Sequence, residues 1–441
     1  MTDLFGTDGV RGRANEYVTA ELALSLARAA ASRLLPNGGR VIIGRDTRLS
    51  GPMLESALGA GFASAGVDVL LAGIIPTPAI SFLIKDERAD LGAVISASHN
   101  EPADNGIKFF DRNGMKLRVE QEEGIEAALK HLPPRSSRVG SILPLQAAAR
   151  RYAAFLTGTI ESDDIDLSGL KIIVDCAYGA TGAIAPHVLR HFNARVVEMH
   201  TAPDGERINR NCGSTHLDTL REAVLSQHAD LGIAFDGDGD RVLLISPSGE
   251  VIDGDRMMGI VALHMSRVRR LDPQIVVATV MSNMGLEHIL AESGLRMLRT
   301  PVGDRHVAQT MLEHGAQLGG EQSGHIIFSD HSPTGDGILT AIKLLEISHE
   351  RGKPLHVLAD EIPLYPQARA DIPADNPGEL MTEESVIAAI KGGEERLAAQ
   401  GRLLVRPSGT QPVVRVLVES SDEALCRSVC QDISSAIEVA R

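Results

Sequence analysis

Apolar and polar positions along the chain alternate between two periods. Val18 to Leu35 carries apolar residues at Leu22, Leu26 and Ala29/Ala30, a helical spacing, with Thr19 placed to cap it. Arg40–Gly44 and Val67–Ala72 are short apolar runs that predict strands, with a helix over Met53–Ala65 between them. The same alternation recurs downstream. A buried strand is predicted within Leu91–Asn100, ending in the Ser98-His99-Asn100 cluster, and further strands at Lys171–Asp175, Ala194–Met199, Leu231–Phe235 and Gln274–Val280. Helices are predicted at Leu217–Ser226, Asp255–Met265, Asn283–Glu292, 305–313 and Asp336–His349. Repeated β/α alternation implies mostly parallel sheets covered by helices. The last segment differs, with helix Thr382–Leu397, strands Leu403–Arg406 and Val413–Glu419, and helix Asp422–Val439. The fold class expected is therefore α/β: three consecutive mixed or parallel-sheet α/β domains and a smaller α+β domain around a central cleft. Boundaries are expected at 1–150, 151–252, 253–365 and 366–441. Leu132–Arg138 reads as a connector, Arg150–Thr157 as a bridge to the next domain, and the Pro-rich stretch 363–377 as a linker.

Within this frame the most informative stretch is Leu231-Gly-Ile-Ala-Phe-Asp-Gly-Asp-Gly-Asp-Arg241. Asp236, Asp238 and Asp240 follow an apolar strand and so sit at its carboxyl end, where open α/β sheets bind ligands. An Asp/Gly-rich stretch is usually a solvated turn, but this one lies between two apolar runs, the second being Val242–Ile245. Three carboxylates so close repel, and a hard divalent cation with oxygen ligands relieves the repulsion. An EF-hand is excluded, because Arg241 and Pro247 stand where that loop needs Gly and Glu. Three carboxylates leave coordination positions open, which suits Mg²⁺ sharing a phosphate oxygen.

Other polar stretches interrupt the pattern. Phe5-Gly-Thr-Asp-Gly-Val-Arg11-Gly12 reads as a ligand-facing loop or a surface turn rather than a strand. Ser96-Ala-Ser98-His99-Asn100 closes a buried strand, with Lys108 shortly after. A serine at a strand end is commonly a cap, yet an oxygen nucleophile beside a cation site is what phosphoryl transfer needs. Glu321 and Ser323, two apart in Gly320-Glu-Gln-Ser-Gly-His325, are expected on one side of an extended segment, able to bond sugar hydroxyls; a hairpin turn is the alternative. Arg406-Pro-Ser408-Gly409-Thr410-Gln411, with Arg415 beyond, suits a phosphate cradle, a plain turn being again the alternative. His187 and His191 have the spacing of a zinc pair but lack the Glu and a third ligand, so no zinc is expected.

Composition narrows the partners. The 441 residues carry a net charge of −15, which argues against nucleic acid, whose backbone demands a basic face. Aromatic content of 3% and the absence of Trp disfavour stacking platforms. No apolar run is long enough for a membrane helix, and the N-terminus lacks the features of a signal peptide, so a cytoplasmic, membrane-free protein is expected. Cys176, Cys212, Cys426 and Cys430 form no paired motif and are expected as reduced structural thiols.

Together, Phe5–Gly12, Ser96–Asn100, Asp236–Arg241, Gly320–His325 and Arg406–Gln411 resemble the α-D-phosphohexomutase superfamily, in its order and at its spacing. The chain looks most like the bacterial members that act on glucosamine phosphate. The resemblance implies interconversion of glucosamine 6-phosphate and glucosamine 1-phosphate, on the way to UDP-N-acetylglucosamine. Phosphomannomutase/phosphoglucomutase activity is the alternative, and a Mg²⁺-dependent sugar phosphatase a more distant one. It implies Ser98 as phosphoserine and as a metal ligand with Asp236, Asp238 and Asp240. Arg11, His99, Lys108, Arg241 and His325 would stabilise charge or move protons. Glu321, Ser323, Arg406, Ser408, Gly409, Thr410 and Arg415 would hold the sugar phosphate. One Mg²⁺ per chain, priming of Ser98 by ATP or glucosamine 1,6-bisphosphate, and a possible homodimer are also implied. Two positions depart from the family: Glu101 stands where Pro is usual, close to the serine, and Tyr178 where Asn is frequent.

Overall fold

The computed structural model describes residues 4–6, 8–132, 136–162, 165–408 and 412–441. Two compact units are present, 1–281 with 295–361, and 282–294 with 362–441.

Among the described residues the first unit contains three sheets. The first has strands in the spatial order Val10–Arg13, Asp104–Asp111, Leu91–Ile95, Gly39–Arg45, Val67–Ile74, Ile142–Pro144. The last four run parallel, and the first two are antiparallel additions at one edge. Helices Ala20–Leu34 and Gly51–Ser64 bury Leu26, Ala30, Leu54, Leu58 and Phe62 against Val41, Ile43, Val69 and Phe109. Thr19 does cap the first helix, accepting the Leu22 N–H at 3.2 Å. The second sheet pairs Leu231–Phe235, Lys171–Asp175 and Arg195–Met199 in parallel, with Val242–Ile245 and Val251–Ile252 antiparallel at the edge. The third has the order Arg296–Thr300, Ile275–Thr279, Leu318–Gly320, Ile326–Phe328.

Two features tie these sheets together near the Asp236–Asp240 loop. Helix Ala148–Gly158 presents Tyr152, whose hydroxyl donates to Asp336 Oδ2 at 2.6 Å, and Phe155, which stacks on Phe82 at 4.6 Å between centroids. Asp336 caps helix Gly337–Arg351, which is buried over most of its length, and the Gly337 N–H donates to the Gly239 carbonyl at 3.0 Å. A side chain at Gly337 would meet Arg241 O at 2.6 Å and Phe235 Cδ1 at 2.9 Å, so only glycine lets the helix start there.

The second unit is an antiparallel sheet, Gln367–Pro373, Val413–Ser420, Gly401–Pro407, packed on helices Glu384–Leu397 and Glu423–Ala440. Helix Met284–Glu292 belongs to this unit, anchored by Asn283 Nδ2 to Tyr365 O at 3.0 Å.

Several expectations need correction. Val10–Arg13 is a strand, not a loop: as an edge strand it needs a partner on one side only, and Asp104–Asp111 supplies it. The 363–377 stretch is not simply a linker, because Gln367–Pro373 forms an edge strand, where proline is tolerated. Helices Thr77–Asp86 and Val119–Lys130 escaped prediction, the first because it is buried on nearly every side and so lacks a polar stripe. Among the described residues no helix is long and apolar enough to cross a membrane. All four cysteines are buried and unpaired.

Candidate active site

Strand Leu91–Ile95 delivers Ser98 into the interior, where it is 1% exposed. Its φ of 51° is left-handed, a conformation disfavoured by any Cβ. The Ser98 N–H donates to Ser96 Oγ at 2.8 Å, and Ser96 Oγ donates to Asp46 Oδ2 at 2.6 Å. The Ser98 hydroxyl donates to Asp236 Oδ2 at 2.6 Å. The serine loop of the first sheet and the acidic loop of the second therefore meet directly.

Asp236, Asp238 and Asp240 are buried, with ligand oxygens within 4.8 Å of one another. Thr77, at the start of its helix, holds Asp238 twice: Oγ1 to Oδ2 at 2.6 Å and N–H to the carbonyl at 2.8 Å. The Arg241 N–H reaches Asp236 Oδ1 at 3.2 Å. Lys108 Nζ, 1% exposed, lies 3.0 Å from Asp238, 3.2 Å from Asp8 and 3.8 Å from Asp240. Burial, then the Asp240 and Asp238 charges, push the Asp236 pKa well up. Burial also acts to raise Asp240, but the hydrogen bond of His325 and the charge of Lys108 outweigh it and hold it well down.

Asp238 Oδ1 and Asp240 Oδ1 are buried with no hydrogen-bond partner. Such orphan carboxylate oxygens are costly, and an all-oxygen set of three acids beside a hydroxyl fits a hard divalent cation. His187 and His191 join no metal-capable cluster among the described residues.

Cationic and titrating groups surround the acids. Arg11 pairs with Asp8, leaving its buried Nε unpartnered. Arg241 Nε lies 3.9 Å from Asp240. His99 Nδ1 is 3.4 Å from Ser98 Oγ; burial, with the Arg241 and Arg11 charges, lowers its pKa to about 4, so it is neutral near pH 7. His325 lies between Asp240 and Asp304, at 3.7 Å from each. Burial lowers its pKa, but the surrounding carboxylates raise it overall. The Gly335 N–H donates to Nε2 at 3.0 Å, so the neutral ring keeps its proton on Nδ1, facing Asp240.

Glu321 and Ser323 lie in a turn, not an extended segment, because the Gly324 N–H closes back on the Glu321 carbonyl at 3.0 Å. Glu321 is nonetheless buried, accepting the Gly303 N–H at 3.1 Å and the Ser323 hydroxyl at 3.3 Å. Glu101 is exposed, its side chain in solvent. Tyr178 stacks under the Arg207 guanidinium, 4.3 Å from its ring centroid, and its carbonyl accepts the Thr47 hydroxyl at 2.7 Å.

Arg406, Ser408 and Arg415 belong to the second unit. Arg406 and Arg415 face each other in register across the hairpin, and the Ser408 N–H donates to the Val413 carbonyl at 2.9 Å. Asp371 on the neighbouring strand lies opposite Arg415, its Oδ1 3.7 Å from Arg415 Nε, so part of this like-charge opposition is offset within the sheet. Gly409 and Thr410 lie outside the described residues.

Sequence reasoning missed Asp8, Thr77, Lys116 and Asp304 as individuals. Lys116, partly buried, lies between Asp8 and Asp304, joining the first and third sheets' domains, as does Arg305 to Glu122 at 2.6 Å. Asp8 stood in a stretch already singled out; Lys116 carried no local signal, because its partners are distant in the chain.

Comparison with known proteins agrees with this architecture. The descriptions "Phosphoglucomutase/phosphomannomutase, alpha/beta/alpha domain" I, II and III match residues 2–135, 150–249 and 253–365, and that family's C-terminal domain matches 370–436. The phosphoglucosamine mutase of Carboxydothermus hydrogenoformans is 45% identical over 99% of this chain and 100% of its own. That of Desulforudis audaxviator is 48% identical over 98% and 97%. A phosphoglucomutase/phosphomannomutase family protein from Burkholderia thailandensis superposes with a TM-score of 0.85 at 28% identity, covering 100% of this chain and 98% of that one. The chain therefore belongs to the phosphoglucomutase/phosphomannomutase family, within its phosphoglucosamine mutase branch.

Proposed function

We propose that this isomerase interconverts glucosamine 6-phosphate and glucosamine 1-phosphate through a phosphorylated Ser98. The observation that carries the reading is the 2.6 Å contact of Ser98 Oγ with Asp236, inside a cluster holding two orphan carboxylate oxygens. From phosphorylated Ser98, the sugar O1 attacks phosphorus as the Oγ–P bond breaks, giving the 1,6-bisphosphate. After the sugar turns around, Ser98 Oγ attacks the 6-phosphate and O6 leaves. The cycle returns the phosphoryl group to the serine and needs no net phosphate.

Each group has a role in that cycle. Arg11, Lys108 and Arg241 offset negative charge on the phosphoryl oxygens. His99, neutral and beside Ser98 Oγ, and His325 are the candidates for carrying the proton that leaves one sugar hydroxyl and returns to the other. Glu321 and Ser323 accept and donate to hydroxyls shared by both orientations. Arg406, Ser408, Gly409, Thr410 and Arg415 grip the phosphate that is not reacting. Mg²⁺, one per chain on Asp236, Asp238, Asp240 and the Ser98 oxygens, would supply charge neutralisation when bound. ATP or the sugar bisphosphate would first load Ser98. A cytoplasmic location and a homodimer remain readings for fractionation and solution mass to test.

The test is a panel of glucosamine, glucose and mannose phosphates, assayed with and without Mg²⁺. Preference for glucosamine phosphate and dependence on Mg²⁺ are expected. A large preference for a neutral hexose, or inorganic phosphate as the main product, would overturn the assignment.

A further inference from the structure

Ser98 is held left-handed by its backbone partners, and the partners of its carbonyl come from two domains. The Ser98 carbonyl accepts Arg48 Nη2 at 3.0 Å and Asn209 Nδ2 at 2.8 Å. The Asn100 carbonyl accepts the same two nitrogens, at 2.8 and 3.0 Å. Four N–H groups thus meet two carbonyls with two lone pairs each, and every donor and acceptor is used. Both facing groups are acceptors, so the Asn209 amide can present only its nitrogen here.

The two donors differ in kind. Arg48, fully buried, is anchored within the first domain by Asp46 Oδ2 at 2.9 Å and by the Asp104 and Glu101 carbonyls. Its removal would strand a buried charge and unfold the loop. Asn209, 3% exposed, comes from the second domain, between the metal loop and the serine loop. Its own φ is 60°, and its N–H is tied to the Ala177 carbonyl at 3.1 Å. An amide without charge in that place supplies aim more than folding energy.

We propose that Asn209 is a positioning residue: together with Arg48 it locks the Ser98 and Asn100 carbonyls, and so points Ser98 Oγ at the acidic cluster. The proposal rests on Ser98 as the phosphoryl carrier. A complementary contact runs the other way, from Thr77 of the first domain to Asp238 of the second. Each loop of the site is therefore held by the domain that carries the other loop.

The experiment uses the full chain with Asn209→Ala and Asn209→Asp, and Ser98→Ala as reference. Four quantities are read: kcat and KM with glucosamine 6-phosphate, transfer of a phosphoryl group from glucosamine 1,6-bisphosphate to Ser98 by intact mass, and the melting temperature. Misplacing a nucleophile by about 1 Å costs on the order of 10²-fold, so N209A is expected to lose about that in kcat and in the transfer rate. N209D, whose carboxylate faces two carbonyls, is expected to lose more. KM should stay within about twofold, because no substrate contact is removed. Wild-type kcat in N209A, or a raised KM at unchanged kcat, overturns the proposal while leaving the Ser98 reading intact. So does a loss of activity that only follows the loss of folded protein. A wild-type chain that never acquires a phosphoryl group on Ser98 instead removes the activity reading, and this proposal with it.

Discussion

The ammonium group of Lys108 and the carboxylate of Asp238 lie 3.0 Å apart, each 1% exposed. Asp8 and Asp240 complete the lysine's surroundings. Burial alone would lower the Lys108 pKa, but the three carboxylates raise it, so the lysine stays charged and offsets the cluster. Removing one partner of a buried ion pair leaves the others uncompensated, at about 3–5 kcal/mol. Lys108→Met is therefore expected to lower stability by about that amount. Saturating Mg²⁺ should restore part of it, since the cation takes over the neutralisation. Denaturant melts with and without Mg²⁺ check this; a loss indifferent to Mg²⁺ would count against a cation site.

Gly237 separates two of the acids and passes close to the serine loop. A Cβ there would sit 2.7 Å from Ile208 Cδ1 and 2.9 Å from both Asn209 Nδ2 and Ser98 O. Gly237→Ala must push the two loops apart. Overpacking of this kind costs about 1–3 kcal/mol. The activity is expected to fall further, by about 10²-fold in kcat, because alignment is lost before folding is. Steady-state kinetics beside a thermal melt separate the two effects.

Asp336 reports on the helix that abuts the metal loop. Burial raises its pKa to about 6, against the hydrogen bonds from Leu339 and Tyr152 that favour the ionised form. The folded state therefore holds this proton more tightly than the unfolded state, whose carboxyl titrates near 3.8. Its contribution to stability is full below the unfolded pKa and is lost as pH rises through about 6. The size is about 3 kcal/mol. Asp336→Asn keeps the cap and cannot titrate. The wild type should lose stability relative to the variant as pH rises from about 4 to about 6, with little further change above that, and a difference independent of pH would contradict the assignment.

Arg406 and Arg415 oppose each other across their hairpin, with Asp371 Oδ1 3.7 Å from Arg415 Nε, and both arginines are proposed to grip the substrate phosphate. On the proposed role of Arg406 in gripping the non-reacting phosphate, Arg406→Ala would remove one charge-assisted hydrogen bond, about 1.5–3 kcal/mol. It is expected to raise KM by roughly 10-fold or more while the second unit keeps its stability, since a like-charge opposition is relieved. Fixed KM with lowered stability would make the pair structural.

The parts of the site that were legible in the chain are those where chemistry and local geometry coincide. Asp236, Asp238 and Asp240 follow an apolar strand with glycines between them, and Ser98 ends another, so each announces itself within ten residues. The alternation of strands and helices likewise showed the layered architecture. What stayed hidden depends on distant pairing. The Val10–Arg13 strand needs Asp104–Asp111 to exist. Thr77, Lys116 and Asn209 look like ordinary polar residues until their partners, over 100 positions away, are known. Glu321 and Ser323 were expected on an extended segment and lie in a closed turn, because the same Gly-rich sequence suits either backbone.

The central claim is that Ser98 carries the phosphoryl group beside a carboxylate-held cation. The most direct measurement is the intact mass of the chain after incubation with glucosamine 1,6-bisphosphate and Mg²⁺, repeated on Ser98→Ala and after adding glucosamine 6-phosphate. The account expects one phosphoryl group on the wild type, none on the variant, and its discharge by the sugar phosphate. A chain that stays unmodified while turning over substrate, or one modified equally well without Ser98, would contradict it.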